Sequence, residues 1–425
     1  MVADGRTTGE ATTLLLGGVL LLAFAMNMLG RGATEVFAVF LLPVEKALGA
    51  TRSQVTGVYS LFMLVNGLAG PVAGTVFDRL GARVAYCSGL VVLGGSLVLA
   101  GSVTQVWHYA ATIGIASGLG VSLLGMVSAN ALLSRWYHAR LGTVIGVTYA
   151  ATGFGVLLMA PIAQVLIDAY GWRDAYRIIG AALVGLAVVT ALLPLTRMWH
   201  GSAEWRDRRA AHEKATGGGW TIANAAKSRA FWALMLVYFF TSLASFAVSP
   251  QSVAAMVEAG ITPLAAASAF GVSGMLSLIS NASIAPLVDR FGQRLMITLS
   301  YLGTIAGILC LAALPSQPGL VLMYGWAILF GINQGTRGPI ISTLTATLFA
   351  GGGVGRIYGT IALGMGFGAA FGSWTSGLLH DYTGAYQASF VFAATCAAIG
   401  MVTFWTVPLL TDARRRNREA AAAGE

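Results

Sequence analysis

Long apolar runs alternate with short polar breaks along almost the whole chain. Many runs hold about 20 nearly uncharged residues, enough to cross a ~30 Å hydrocarbon layer as a helix rising ~1.5 Å per residue. The breaks collect the glycines, prolines and charges that end helices. The pattern predicts twelve helices, over residues 12–42, 53–77, 83–103, 106–133, 141–168, 174–196, 230–256, 263–287, 294–314, 319–347, 355–379 and 386–409. Only one break is long. Residues 197–229 contain EWRDRRAAHEK and then GGG, and they divide the series six and six. The expected organisation is a first six-helix bundle over 1–196, a linker over 197–229, a second bundle over 230–411 and a basic tail over 412–425. The fold class is an all-α polytopic membrane protein, with twelve transmembrane helices in two pseudo-symmetric six-helix bundles.

Composition supports this. The 425 residues are 56% hydrophobic and 10% charged, too few charges to cover a soluble protein of this size. The net charge of +9 does not point to nucleic acid, because the basic residues sit at helix ends and in loops. With both termini inside, nineteen Lys and Arg fall on the cytoplasmic side and only Lys46, Arg52, Arg173 and Arg177 outside; Arg31 and Arg337, inside spans, complete the 25. This bias fits twelve spans in that orientation. Cys87, Cys310 and Cys396 are widely spaced in or beside apolar segments and suggest packing, not a disulfide framework or a metal site. No cleavable signal pattern precedes the first apolar run, which starts at Thr13 and continues into a span.

The halves repeat. GTVFDRLGAR (residues 74–83) matches APLVDRFGQR (285–294) at an offset of 211, and GVTYAATGFG (146–155) matches GTIALGMGFG (359–368) at 213. Asp168 and Gly171 match Asp381 and Gly384, and Val44-Glu45 matches Val257-Glu258, also at 213. Duplicated six-helix units place a binding site between them, near the membrane midplane.

Here the residues resemble the major facilitator superfamily, whose loop after helix two reads G-x-x-x-D-R-x-G-x-R; the second copy departs in having Ala285 for the first glycine. Residues 39–61, VFLLPVEKALGATRSQVTGVYSL, and 160–181, APIAQVLIDAYGWRDAYRIIGA, are similar to the monocarboxylate transporter and oxalate/formate antiporter branch. That likeness implies transport of small carboxylates with a proton or in exchange for an anion. It also implies that helices one, four, seven and ten line the cavity. The branch often carries an arginine in helix eight where this chain has Asn281, and some animal members have a lysine in helix one where it has Glu35. The usual positive charge is absent from those places.

The chemistry then falls on three ionisable residues deep in apolar segments: Arg31, Glu35 and Arg337. Mid-membrane charges are costly and usually mark an ion or substrate path. Arg31 and Arg337, one from each half, are the expected carboxylate clamp, each offering a planar fork of donors. The alternatives are a local i,i+4 pair of Arg31 with Glu35, and a helix lock for Arg337. Glu35 is either a proton carrier or a permanent counter-ion. Asn281 and Asn333 are hydrogen-bonding candidates for the substrate or for helix contacts, and Tyr149 is a cavity-shaping or packing residue. In the two loop copies, Asp78, Arg79 and Arg83, and Asp289, Arg290 and Arg294, form an expected cytoplasmic latch. No metal-ligand cluster, nucleotide loop or catalytic arrangement stands out, so neither a cofactor nor enzymatic activity is expected.

The reading is a secondary transporter for a small organic anion, most simply a monocarboxylate, coupled to a proton or a counter-anion by alternating access. Its expected setting is the lipid bilayer of a bacterial inner membrane, as a monomer with both termini cytoplasmic and no nucleic-acid partner. The alternatives are an efflux pump for amphipathic compounds and a transporter-like membrane receptor.

Overall fold

The computed structural model describes residues 4–137, 141–193, 195, 198, 201, 222–317, 319–349 and 354–406. Most of the 197–229 linker, and the whole 412–425 tail, lie outside them.

In the first half, the first predicted span is α1 (Asp4–Glu35) followed by α2 (Phe37–Leu48). The second is α3 (Arg52–Leu68) plus the start of α4 (Gly70–Ala100), whose remainder is the third. The fourth comprises α5 (Val106–Tyr109), a π-helical segment (Ala110–Ala116), α6 (Ser117–Leu124) and α7 (Met126–Leu133). The fifth and sixth form α8 (Leu141–Leu192), which turns sharply at Gly171.

In the second half a short α9 (Ile222–Ala225) precedes α10 (Arg229–Val248), a 3-10 turn (Ser249–Gln251) and α11 (Ser252–Glu258). Then follow α12 (Pro263–Phe291), α13 (Gln293–Ala313), α14 (Leu320–Leu348), α15 (Val354–Thr383) and α16 (Gln387–Thr406). Among the described residues eight stretches are long and apolar enough to cross a membrane, and one of these holds both spans of α8. The less apolar α3, α14 and α15 complete the twelve.

The repeat is visible in the backbone. Gly81 and Gly292, related by the 211 offset, have φ of 92° and 84°; Gly171 and Gly384, related by 213, have 79° and 66°. Side chains rarely adopt these angles, so glycine is what allows both tight reversals. The first helix of each half also breaks at one repeat position. α1 ends at Glu35 and α10 at Val248, 213 residues later.

The two halves meet along two helix seams. α3 lies along α15: Ser60 Oγ donates to the Ala370 carbonyl at 2.6 Å, and Ser373 Oγ to that of Thr56 at 3.2 Å. α8 lies along α12 at Gly153 and Gly274, where a Cβ on Gly153 would come within 2.1 Å of the Gly274 carbonyl oxygen. One apolar core runs through the first half into the far end of the second, taking in Val248, Phe270, Leu314 and Phe390. A separate core, with Ile284, Ile297, Phe349 and Phe404, lies at the linker end of the second half. The molecule is therefore sealed at the far end.

Candidate substrate site and its closures

Arg31 and Glu35 lie one turn apart at the end of α1, so an ion pair between them needs nothing beyond helical geometry. Arg31 Nη1 stands 3.2 Å from Glu35 Oε1, and the two side chains keep 24% and 14% exposure. Tyr59, on α3, donates its hydroxyl to Glu35 Oε2 at 2.9 Å. The tyrosine ring is held against Phe37, at 4.8 Å between centroids, and meets Phe246 of the second half at 6.3 Å. Each carboxylate oxygen of Glu35 thus has a partner.

Tyr149, on α8, is 41% exposed and is near enough to Tyr358 on α15 and to Arg31 to interact electrostatically with both. The Tyr358 and Tyr238 hydroxyls are 3.2 Å apart. Tyr149 and Tyr358 stand eight and four residues from the linker-side starts of their helices. This phenol trio bounds the gap on the linker side of Arg31, while the Phe37–Tyr59–Phe246 layer bounds it on the far side.

The second expected arginine is not brought to Arg31. Arg337 is fully buried inside the second half, its guanidinium over the Tyr301 ring at 4.7 Å and its Nη2 donating to Thr304 Oγ1 at 3.0 Å. Its Nε and Nη1 have no hydrogen-bond partner, and among the described residues no carboxylate pairs with it. Asn333 donates to the Leu329 carbonyl of its own helix at 2.6 Å and crowds Gly303 of α13. Asn281 sits against Gly335 of α14, where an added Cβ would lie 2.8 Å from its Nδ2. The structure places both asparagines at helix–helix contacts.

At the linker end Asp78 pairs with Arg135 of the fourth span at 2.6 Å, and Arg135 is buried over the Phe77 ring. The sequence pattern pointed to Arg79 and Arg83 as partners and missed Arg135, whose only signal was its place at a helix end. Arg79 is exposed; Arg83 donates to the Leu193 carbonyl at 3.0 Å, capping the end of its own half. In the second copy Arg290 covers Phe291 and Arg294 covers Trp405; the Asp289 side chain lies outside the described residues. Every one of these contacts stays within one half.

At the far end the halves are tied by charge. Thr51 and Gln54 form a reciprocal capping box that starts α3 at Arg52. Arg52, 2% exposed, then uses all three guanidinium nitrogens: Nε to Glu45, Nη1 to the Tyr386 hydroxyl and Nη2 to Glu258 at 2.8 Å. Asp381 accepts from the Arg52 and Ser53 amides at 2.9 and 2.8 Å. Burial works against its charge, but those hydrogen bonds outweigh it and hold the carboxyl below its usual range. His380, 4.0 Å from Glu258, is pushed below the usual histidine range by burial and by the Arg52 charge, against the pull of Glu258 and Asp381.

The sequence profile of the Major Facilitator Superfamily matches residues 20–280 and 234–424, essentially the whole membrane domain. The chain belongs to this superfamily. The superfamily chain is similar to monocarboxylate transporter 13 of Rattus norvegicus, at 26% identity over 92% of this chain and 88% of the relative. It is also similar to monocarboxylate transporter 12 of Homo sapiens, at 23% over 87% and 75%. A bacterial relative is the MFS-type transporter YcxA of Bacillus subtilis (strain 168), 22% identical over 91% and 94%. Among solved structures, a D-xylose-proton symporter superposes with a TM-score of 0.71 at 15% identity, covering 91% of this chain and 96% of that one. A bacterial homologue of the human lysosomal transporter Spinster, in an inward-facing, unoccupied conformation, gives 0.69 at 13%, covering 92% and 96%. Both show the shared fold. This superfamily member is a transport protein acting on a small molecule, and not an enzyme.

Proposed function

We propose that the chain carries a small organic monoanion, most simply a monocarboxylate, by alternating access, and that Glu35 takes a proton as the anion arrives. The observation that carries this reading is the Arg31–Glu35 pair, partly exposed between the halves and stabilised by Tyr59. The pair is neutral as it stands. A carboxylate binding Arg31 would add an uncompensated negative charge deep in the membrane, which costs several kcal/mol. A proton on Glu35 removes that cost, because neutral Glu35 releases Arg31 to the incoming anion. Exchange is the other way to balance the charge, with a departing anion in place of the proton.

In this reading Arg337 is the charge of the second half, its two unpaired nitrogens available to the substrate once the halves rearrange. The aromatic layers on either side of Arg31 bound the site and favour a compact cargo. The basic bias supports a cytoplasmic linker end, in a bacterial inner membrane on this reading, and the far-end seal then makes this state inward-facing. The two loop copies, from Asp78, Arg79 and Arg83 and from Asp289, Arg290 and Arg294, would then tie the linker end shut in the opposite state. One chain holds the whole site, so a monomer suffices.

The test is uptake of lactate, pyruvate, formate, oxalate and a lipophilic cation into proteoliposomes, for the parent and for Arg31→Gln. Losing a desolvated charge contact of 2 kcal/mol or more predicts that saturable monoanion uptake falls about 30-fold or more in folded Arg31→Gln. Parent-level uptake in that variant removes Arg31 from the site, and transport of the cation alone replaces the reading with efflux.

A further inference from the structure

The repeat that shapes the binding site also shapes the far end, with one asymmetry. α1 and α10 end 213 residues apart, and the segments beyond them, α2 and α11, carry Glu45 and Glu258, which are related by that offset. Both glutamates point to one cation, Arg52. The repeat position of Arg52 is Ala265, so the second half has no counterpart of this arginine. Glu35, at the break in the first of these helices, matches Val248 at the break in the other.

The local charge balance is lopsided. Arg52 faces Glu45 on its own half and Glu258 on the other, and its backbone amide is capped by Asp381. Glu45 lies close enough to both Glu258 and Asp381 to be repelled by them. Without the arginine, Glu45 of the first half faces the carboxylates of Glu258 and Asp381 on the second with no guanidinium between them. A guanidinium is suited to this place, since its fork serves two carboxylates and the Tyr386 hydroxyl at once and it stays charged when buried.

We infer that Arg52 is the gating residue of the far face: one guanidinium clasps two repeat-related glutamates, each on the outer segment of a broken helix, and its release lets both segments swing away from the aromatic layer above Glu35. The clasp closes the site without touching the cargo. Because Val36 alone separates Glu35 from α2, motion of α2 reaches Glu35 directly. The gate therefore couples to the charge state of the Arg31–Glu35 pair.

The experiment reads access, so it holds whatever the cargo is. Cys87, Cys310 and Cys396 are replaced by alanine, Phe246→Cys is introduced as a reporter beneath the gate, and the full chain is placed in sealed proteoliposomes of known sidedness. A membrane-impermeant maleimide is added from the Arg52 face. Arg52→Gln is expected to raise the labelling rate at least fivefold, and Arg52→Lys, which keeps the charge but not the fork, by less. Glu258→Gln leaves Arg52 paired with Glu45 and cuts only the charge across the halves; it is expected to raise labelling about twofold, and it decides the matter if Arg52→Gln does not fold. Unchanged far-face labelling in the folded variants overturns the inference. So does a rise that is equal from both faces, because that reports general loosening.

Discussion

Arg31 and Arg337 are both arginines in apolar spans, and their surroundings give them different characters. Arg31 is neutralised within one helical turn by Glu35 and stays partly exposed between the halves. Arg337 is sealed in the second half, with a ring face and one hydroxyl as its partners. A buried guanidinium with two unpaired nitrogens is expensive unless something compensates it. If that compensation is the cargo, Arg337→Gln loses about tenfold or more of uptake while the purified protein keeps its elution profile and melting temperature; parent-level uptake removes Arg337 from the site. The Arg31–Glu35 pair was legible in the sequence because i,i+4 contacts are local. Tyr59 was not, since it reaches Glu35 from another helix, and neither was Arg135 as the partner of Asp78. The placement of Asn281 and Asn333 against Gly335 and Gly303 depends on which helix faces turn inward, which apolar runs without strong periodicity do not specify.

At the level of elements, the sequence marked the spans but not all of their interruptions. Gly81 and Gly171 fall in the short breaks between the predicted helices, and Pro250 stands at the break after α10. Nothing at Val36 signals the matching break after α1, which appears only once the repeat is laid over the structure. The α8–α12 contact is as close as two helices allow, because Gly153 meets the Gly274 carbonyl with no side chain between them. Overpacking of such a contact costs about 1–3 kcal/mol. Gly153→Val is expected to lower the melting temperature in detergent and to slow transport, since α8 and α12 form one of the two long seams between the halves. An unchanged melting temperature and rate would show that the seam opens freely, contrary to this packing.

For the whole molecule, duplication and topology were readable from repeated motifs and from the distribution of basic residues, both properties of the linear chain. Which end is sealed was not, because the two conformations of a transporter share one sequence and differ by small energies. The seal rests on Arg52, Glu258, Tyr386 and Asp381 at the far end, while the contacts described for Asp78, Arg83, Arg290 and Arg294 stay within their own halves. Opening the far end must break the Arg52 clasp and re-form contacts at the linker end. Between those closures lies the Arg31–Glu35 pair, which carries no net charge while Arg337 stays sealed in the second half.

The neutral pair makes proton coupling through Glu35 directly measurable. A monocarboxylate that the parent carries is supplied to proteoliposomes with an imposed inside-alkaline pH gradient, and accumulation is compared between the parent and Glu35→Gln, with counterflow from preloaded vesicles measured in the same preparations. If Glu35 takes the coupling proton, the parent concentrates the anion in proportion to the gradient. Glu35→Gln, permanently neutral, retains counterflow and loses the concentration step. Gradient-driven accumulation that survives intact in Glu35→Gln would contradict the account.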